Sequence, residues 1–284
     1  MIGHNKQLTY FQNVIKNGLL AHAYLFSGPE MIGKKLFALN LCRIINDRLP
    51  ESDLDIKVFS PKFDEDKMKI YIENIKELRK FLSYKSQTGL YKFVILDDAH
   101  CLTNEASNAL LKILEEPPMF SIIILISFLP GLLPATIVSR CEEVRFREAI
   151  EKEVMNFLND RILDSHMKLT KDNKDFLLKL SGGRIGLINR LIQNNEIEVA
   201  RKNVDELRKL LNAGICEKLD YAKKIYDTNN YKSIVDYWLS WVSSYIRKSS
   251  KNEKIVKELL FLHQIISQPQ YNHRLALENF LLNL

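Results

Sequence analysis

The sequence predicts an α/β domain with a parallel sheet, followed by an all-helical region. Over residues 1–150, short apolar segments alternate with amphipathic segments of helical periodicity. Afterwards helix-breaking residues almost vanish, because no proline occurs between Pro134 and Pro269 and no glycine follows Gly214. Strands that alternate with helices favour a parallel sheet covered on both faces. A region nearly free of glycine and proline is predicted to be helical.

The elements of the first half follow from apolar spacing and turn residues. Apolar residues from Leu8 to Ile15 recur at helical spacing, and Gly18 is expected to end that helix. A glycine-bounded turn at 28–33 leads into a second helix, and Thr103 is the predicted N-cap of a later one. The other apolar segments predict a helix over Ile75 to Leu82 and strands over Ala23 to Phe26, Ile56 to Phe59, Tyr91 to Leu96, Ser121 to Ile126 and Val144 to Phe146.

Composition excludes several classes of protein. With 46% hydrophobic and 27% charged residues among 284, the chain can bury a core and is not predicted to be disordered. Four cysteines without a C-x-x-C pair exclude a zinc ribbon and favour reduced thiols. The first ten residues lack the apolar segment of a signal peptide, so we expect a cytoplasmic protein.

Two further features bear on membranes and nucleic acids. Residues 119–138 carry no charge, but Pro130 and Pro134 interrupt them, so a strand and a loop are favoured over a membrane span. The net charge is +6, and a basic cluster lies near the C-terminus. That cluster (Arg247, Lys248, Lys251 and Lys254) is interpreted as a solvated helix face, and contact with DNA is left open.

The segment GPEMIGKK at 28–35 fits a phosphate-binding loop, G-x-x-x-x-G-K, between a predicted strand and a predicted helix. Gly28 and Gly33 allow the tight turn, and Lys34 supplies a positive charge for phosphate oxygens. The next position is Lys35, where a working loop has a serine or threonine hydroxyl that binds Mg²⁺. An ammonium cannot coordinate a cation, so we expect the loop to persist without its metal chemistry.

A second motif, FVILDDAH at 93–100, places two carboxylates at the end of a predicted strand. Asp97 stands where a strand-end carboxylate holds the metal in phosphate-loop enzymes. Asp98 follows at the position of the residue that activates water, which is usually a longer glutamate. An acidic turn without function would explain this motif if it stood alone, but it follows a phosphate loop by about sixty residues.

Five segments together resemble the AAA+ clamp-loader subunits of bacterial DNA polymerase III, over about residues 1–200. They are HAYLFSGP at 22–29, the DDAH box, NEASNALLKILEEPP at 104–118, LLPATIVSRC at 132–141 and SGGRIGLINRL at 181–191. Among these subunits the delta-prime type is the most similar, because the phosphate loop is degenerate and the chain ends in NHRLALENFLLNL.

The resemblance implies roles for further residues. Arg140, in the SRC motif, would act in trans as an arginine finger in the ATP site of a neighbouring subunit. Ser127 falls on the sensor 1 position and Arg184 on the sensor 2 position of a degenerate nucleotide site that also includes Gly28, Gly33, Lys34, Lys35, Asp97 and Asp98. Many relatives carry four zinc-binding cysteines between the two motifs, whereas this interval holds only Cys42, so no metal is expected.

The resemblance also implies an organisation and partners. We predict an AAA+ α/β domain over 1–150, a small helical lid over 151–200 and a helical collar for oligomerisation over 201–284. The subunit would require no cofactor, since ATP and Mg²⁺ would be bound by its neighbours. Its partners would be the tau/gamma and delta subunits, with the sliding clamp and primed DNA reached through the complex, and no membrane.

Three interpretations stay open. The chain is either a delta-prime-like subunit without independent ATPase activity or a self-sufficient ATPase of tau/gamma type that tolerates Lys35. A phosphate-loop protein that acts as a regulatory binder outside replication is the third reading. Nucleotide binding by the purified chain separates the first two, and co-purification with clamp-loader subunits separates both from the third.

Overall fold

The computed structural model describes residues 3–46, 54–64, 67–87, 89–165, 169–246, 253–266 and 271–284, without the side chains of 161–165, 245, 246 and 253. The chain divides into two compact units, Met1–Glu148 and Ala149–Leu284. This division lies within two residues of the boundary predicted between the α/β and helical parts. The boundary predicted between residues 200 and 201 falls inside a helix, Ile197–Leu210, and the division into lid and collar stays a prediction.

Five described strands of the first unit form one parallel sheet, which confirms the predicted fold class. The strands are β1 (Ala23–Ser27), β2 (Ile56–Phe59), β5 (Lys92–Leu96), β6 (Ser121–Ser127) and β7 (Glu142–Arg145), in the order β2-β5-β6-β1-β7. The three central strands are buried along their whole length. The strand Val144 to Phe146 was predicted two residues too late, because the edge strand β7 begins with two exposed glutamates.

Successive residues of the central strands point into two different cores. The helices of this unit are α1 (Asn5–Lys16), α2 (Lys34–Ile45), α3 (Ile72–Ser83), α4 (Asn104–Glu115) and the short α5 (Ala135–Val138). Leu25 and Leu125 belong to a cluster with residues of α3, α4 and α5. Tyr24 and Phe26 belong to a second cluster with residues of α1 and α2. The sheet is therefore covered on both faces, as predicted.

One element of this unit was not predicted. A two-stranded antiparallel hairpin, β3 (Lys62–Asp64) and β4 (Lys67–Lys69), pairs Phe63 with Met68. Both of these side chains are exposed. A segment in which charged residues predominate lacks the apolar alternation from which strands are inferred.

The described part of the second unit is helical, as predicted. Its helices are α6 (Glu151–Ser165), α7 (Lys171–Ser181), α8 (Ile185–Gln193), α9 (Ile197–Leu210), α10 (Ile215–Asp227), α11 (Tyr231–Ile246), α12 (Glu253–Ile266) and α13 (His273–Leu282). Gly182 ends α7 in the left-handed conformation, with φ of 57°. Trp238 is completely buried and anchors a cluster that runs from α9 to α13.

Nothing in the described ranges meets the requirements of a membrane-spanning helix. Of the predicted basic cluster, Arg247, Lys248 and Lys251 lie outside the described residues, and Lys254 is exposed on α12.

Candidate functional site

The site lies where β1, β5 and β6 end side by side, since the carboxyl ends of parallel strands meet at one edge of a sheet. β1 continues into the loop 28–33, which leads into α2. Gly33 caps that helix with φ of 98°. At Gly28, φ is 137° and an added Cβ would lie 2.3 Å from the carbonyl oxygen of Phe146. Both glycines are therefore required by the backbone of the loop.

Lys34 is turned back onto its own loop. Its Nζ donates to the carbonyl oxygens of Gly28 at 2.6 Å and Pro29 at 2.5 Å, and the residue is only 6% exposed. Burial lowers the pKa of Lys34 to about 8, although the carboxylates of Asp98, Glu30 and Asp97 oppose this shift. The ammonium that was predicted to bind phosphate therefore donates hydrogen bonds to carbonyl oxygens of its own loop.

Lys35 forms an ion pair with Asp97. Its Nζ lies 2.9 Å from Oδ2 of Asp97 and 3.4 Å from the hydroxyl of Ser60. The two side chains are 46% and 20% exposed. The structure thus brings together the two residues that the sequence had marked separately, one as an altered loop position and the other as a strand-end carboxylate.

His100, which was not predicted as a site residue, contacts Ser127 and interacts electrostatically with Asp98. Asp98 adopts a left-handed backbone with φ of 50°. Burial raises the pKa of Asp98, and the neighbouring Asp97 carboxylate adds to this effect. Burial lowers the pKa of His100, whose Nδ1 lies 3.3 Å from the hydroxyl of the fully buried Ser127. That hydroxyl also accepts a hydrogen bond from the backbone N–H of Leu129.

This arrangement does not fit a divalent cation at the loop. The carboxylate that would coordinate the ion accepts the Lys35 ammonium, and the side chain that should contribute a hydroxyl ligand is that same lysine. The positive charges of Lys34 and Lys35 already interact with nearby carboxylates, which are those of Glu30, Asp97 and Asp98. The two ammonium groups offset the charge of two of these three carboxylates, and the residues present do not fit Mg²⁺ at this position.

Arg140 follows α5 on the surface of the same unit. Its Nη2 donates to Oε1 of Glu115 at 2.8 Å and its Nη1 to the carbonyl oxygen of Thr136 at 2.9 Å. The side chain is 36% exposed, so it is not buried in its own core. Glu115, in the segment NEASNALLKILEEPP, was quoted for the resemblance but was not predicted as a site residue.

Arg184 belongs to the second unit. It caps the N-terminus of α8, and its Nε donates to the carbonyl oxygen of Ser181 at 3.0 Å. The four cysteines are free, and the described ranges contain no group of histidine, cysteine, aspartate and glutamate arranged to hold a metal.

Comparison with known proteins identifies the family. The family model described as "DNA polymerase III, delta subunit" matches residues 3–149, just over half of the chain. The DNA polymerase III subunit tau of Bacillus subtilis is 24% identical over 274 residues, covering 92% of this chain and 48% of the relative. The DNA polymerase III subunit delta' of Pseudomonas aeruginosa is 29% identical over 208 residues, covering 67% of this chain and 62% of the relative. The chain spans about half of the length of the tau relative.

Solved structures share the fold at low identity. A DNA polymerase III gamma subunit-related protein of Thermotoga maritima superposes with a TM-score of 0.52 at 18% identity, over 96% of this chain and 97% of that one. The RuvB protein of the same organism gives a TM-score of 0.52 at 17% identity, over 73% of this chain and 65% of that one. These likenesses confirm the AAA+ fold predicted from the sequence. By its matching family model, this chain belongs to the DNA polymerase III delta subunit family.

Proposed function

We propose that the chain is a delta-prime-type subunit of the clamp loader of DNA polymerase III, without an ATPase of its own. In this proposal it assembles in the cytoplasm with tau/gamma and delta subunits. The assembled complex uses ATP held by its other subunits to load the sliding clamp on primed DNA. The observation that carries the proposal is the Lys35 ammonium, which lies 2.9 Å from the carboxylate of Asp97.

The argument from this ion pair is chemical. Hydrolysis at a phosphate loop needs a metal between a loop hydroxyl and a strand-end carboxylate. Here residue 35 is a lysine without a hydroxyl, and its ammonium is paired with the carboxylate of Asp97. The ammonium of Lys34 is hydrogen-bonded to the carbonyls of Gly28 and Pro29. The loop therefore offers neither a ligand set for a cation nor a free ammonium for phosphate, which supports a subunit that does not turn over nucleotide.

Arg140 supplies what such a subunit can give to a neighbour. A guanidinium stays charged at every physiological pH and presents a planar set of donors that matches phosphoryl oxygens. Arg140 is partly exposed, and its head group bonds to Glu115 and to a backbone carbonyl. In the proposed complex it stabilises negative charge on the phosphoryl group in an adjacent subunit, an effect worth about 10³–10⁵ in rate for arginine fingers.

A second candidate is an ATPase of tau/gamma type, because relatives named tau match 92% and 93% of this chain. The Lys35–Asp97 pair argues against it. The decisive measurement is binding and hydrolysis of ATP by the purified chain, with Lys35→Thr as the matched variant that restores a hydroxyl. We expect no Mg²⁺-dependent binding and background hydrolysis for the wild type. Turnover of about 1 s⁻¹, within the ordinary range for enzymes, would assign the chain to the ATPase class.

Membership of the complex is tested by reconstitution with purified tau/gamma and delta subunits. We expect co-elution of the three, and failure to assemble would favour a regulatory binder outside replication.

In the assembled complex, Arg140→Ala should lower the clamp- and DNA-stimulated ATPase rate while leaving assembly intact. Arg145→Ala is the control, because Arg145 is an exposed arginine of the same unit paired with Glu143. An unchanged rate in Arg140→Ala would refute the role in trans.

A further inference from the structure

Arg140 is held by a residue at the end of another helix. Glu115 is the last residue of α4, and its Oε1 accepts a hydrogen bond from Nη2 of Arg140 at 2.8 Å. The second bond of the guanidinium, from Nη1, goes to the carbonyl oxygen of Thr136 in α5 at 2.9 Å. The arginine head group is therefore fixed at two of its nitrogens, by one charged and one neutral acceptor.

The local preferences of the helices account for only one of these bonds. The last carbonyls of a helix lack backbone partners, so the Thr136 carbonyl accepts bonds from Arg140 and, at 3.1 Å, from the hydroxyl of Ser139. A carboxylate at the C-terminal end of a helix is disfavoured by the helix dipole, and Glu115 occupies that end of α4. The position of Glu115 thus destabilises α4 itself, and the ion pair with Arg140 offsets this cost.

The frame that carries the two residues is rigid. Leu114, next to Glu115, and Ile137, beside Thr136, are both buried in the core cluster that α4 and α5 share. Close-packed cores hold their side chains in single arrangements. The shared core consequently holds the ends of the two helices at a separation at which the Glu115 carboxylate reaches the Arg140 guanidinium.

The bonding leaves the guanidinium able to act. Arginine has five N–H donors, and in the described part of the chain Arg140 uses one on Nη1 and one on Nη2. Three donors and the exposed part of the head group remain for an anion. We propose that Glu115 is a positioning residue for Arg140, which orders the arginine before a neighbouring subunit presents its phosphoryl group. This inference rests on the proposed function, because it requires Arg140 to act in trans.

The test uses the assembled complex and measures the clamp- and DNA-stimulated ATPase over a range of ATP concentrations. Ordering one long side chain at an interface is costly enough to change a rate by about 3- to 10-fold. We expect Glu115→Ala to lower kcat by about that factor with KM for ATP unchanged, because the lost order concerns the transition state. Glu115→Gln keeps an acceptor oxygen and should restore part of the rate. Glu116→Ala, at the adjacent exposed glutamate, is the matched control and should match the wild type.

The double variant Glu115→Ala with Arg140→Ala separates positioning from other roles. If Glu115 acts only through Arg140, the double variant has the rate of Arg140→Ala alone. Additive losses, a raised rate in Glu115→Ala, or a loss equal to that of Glu116→Ala would overturn the inference. Thermal unfolding of each purified variant shows whether a lowered rate comes from misfolding. If Arg140→Ala itself has no effect, the proposed function fails; if only Glu115→Ala has none, the proposed function stands and the positioning role fails.

Discussion

The ion pair between Lys35 and Asp97 can be measured in solution by a double-mutant cycle with Lys35→Met and Asp97→Asn. Two unit charges 2.9 Å apart attract each other by about 1.4 kcal/mol if the dielectric constant is that of water. Partly exposed pairs retain about 0.2–1 kcal/mol after solvation and side-chain entropy are counted. Because Asp97 is only 20% exposed, we expect a coupling free energy of about 0.5–1 kcal/mol at low salt. It should fall by more than half at 1 M salt, where the Debye length is about 3 Å.

The assay must report on the α/β unit. Both tryptophans of the chain, Trp238 and Trp241, lie in α11, so their fluorescence follows the helical unit instead. Native-state hydrogen exchange of the buried amides in β1 and β5 gives the opening free energy of the right unit. Lys57→Met replaces Lys35→Met in a control cycle, because Lys57 pairs with Glu77 and should show no coupling to Asp97. A coupling below about 0.2 kcal/mol, or one that salt leaves unchanged, would refute the ion pair and the chemical basis of the proposed function.

Three further predictions concern the same site. Gly28→Ala should destabilise the α/β unit by at least about 2 kcal/mol, because φ is 137° and the new Cβ would clash with the Phe146 carbonyl. The control is Gly131→Ala, whose Cβ meets open space, and it should leave the opening free energy measured by hydrogen exchange nearly unchanged. Burial lowers the folded-state pKa of Lys34 to about 8. The free energy of unfolding of the wild type, relative to that of Lys34→Met, should therefore rise by about 1–3 kcal/mol between pH 8 and 10.5. A difference that does not change with pH would contradict this prediction. Asp98→Asn should stabilise the unit increasingly as the pH rises above about 4, because burial raises the pKa of Asp98 and its ionised form carries a cost; denaturant midpoints at pH 3.5 and 7 test this.

The parts of the fold that sequence reasoning reached are those where burial determines the pattern. The segments that contain β5 and β6 are almost entirely apolar, so the presence of buried strands there follows from composition. The edge strand β7 was misplaced because an edge strand tolerates exposed glutamates. The hairpin formed by β3 and β4 escaped altogether, since its residues are mostly charged and its pairing is a property of the backbone.

The chemistry of the site divides in a similar way. A missing hydroxyl at residue 35 is visible in the sequence, and so is a carboxylate at residue 97. Their contact is not visible, because it depends on which strands of the sheet are neighbours. The contact of Glu115 with Arg140 depends in the same way on two helix ends that share a core. The sequence therefore indicated the candidate residues singly and did not indicate which of them pair.

The shape of the loop is supported by packing contacts that involve no metal. Gly28 allows the backbone to pass against Phe146, and Ile32 is buried in the core between the sheet and α2. The ring of His4 lies 2.8 Å, through Nε2, from the carbonyl oxygen of Ile32. These contacts stabilise the turn without a nucleotide, and the positive φ values of Gly28 and Gly33 require a glycine at each end of it. The packing of the turn does not constrain residue 35, because the side chain of Lys35 is exposed and pairs with Asp97. A lysine is therefore accommodated at residue 35 without disturbing the packing of the turn.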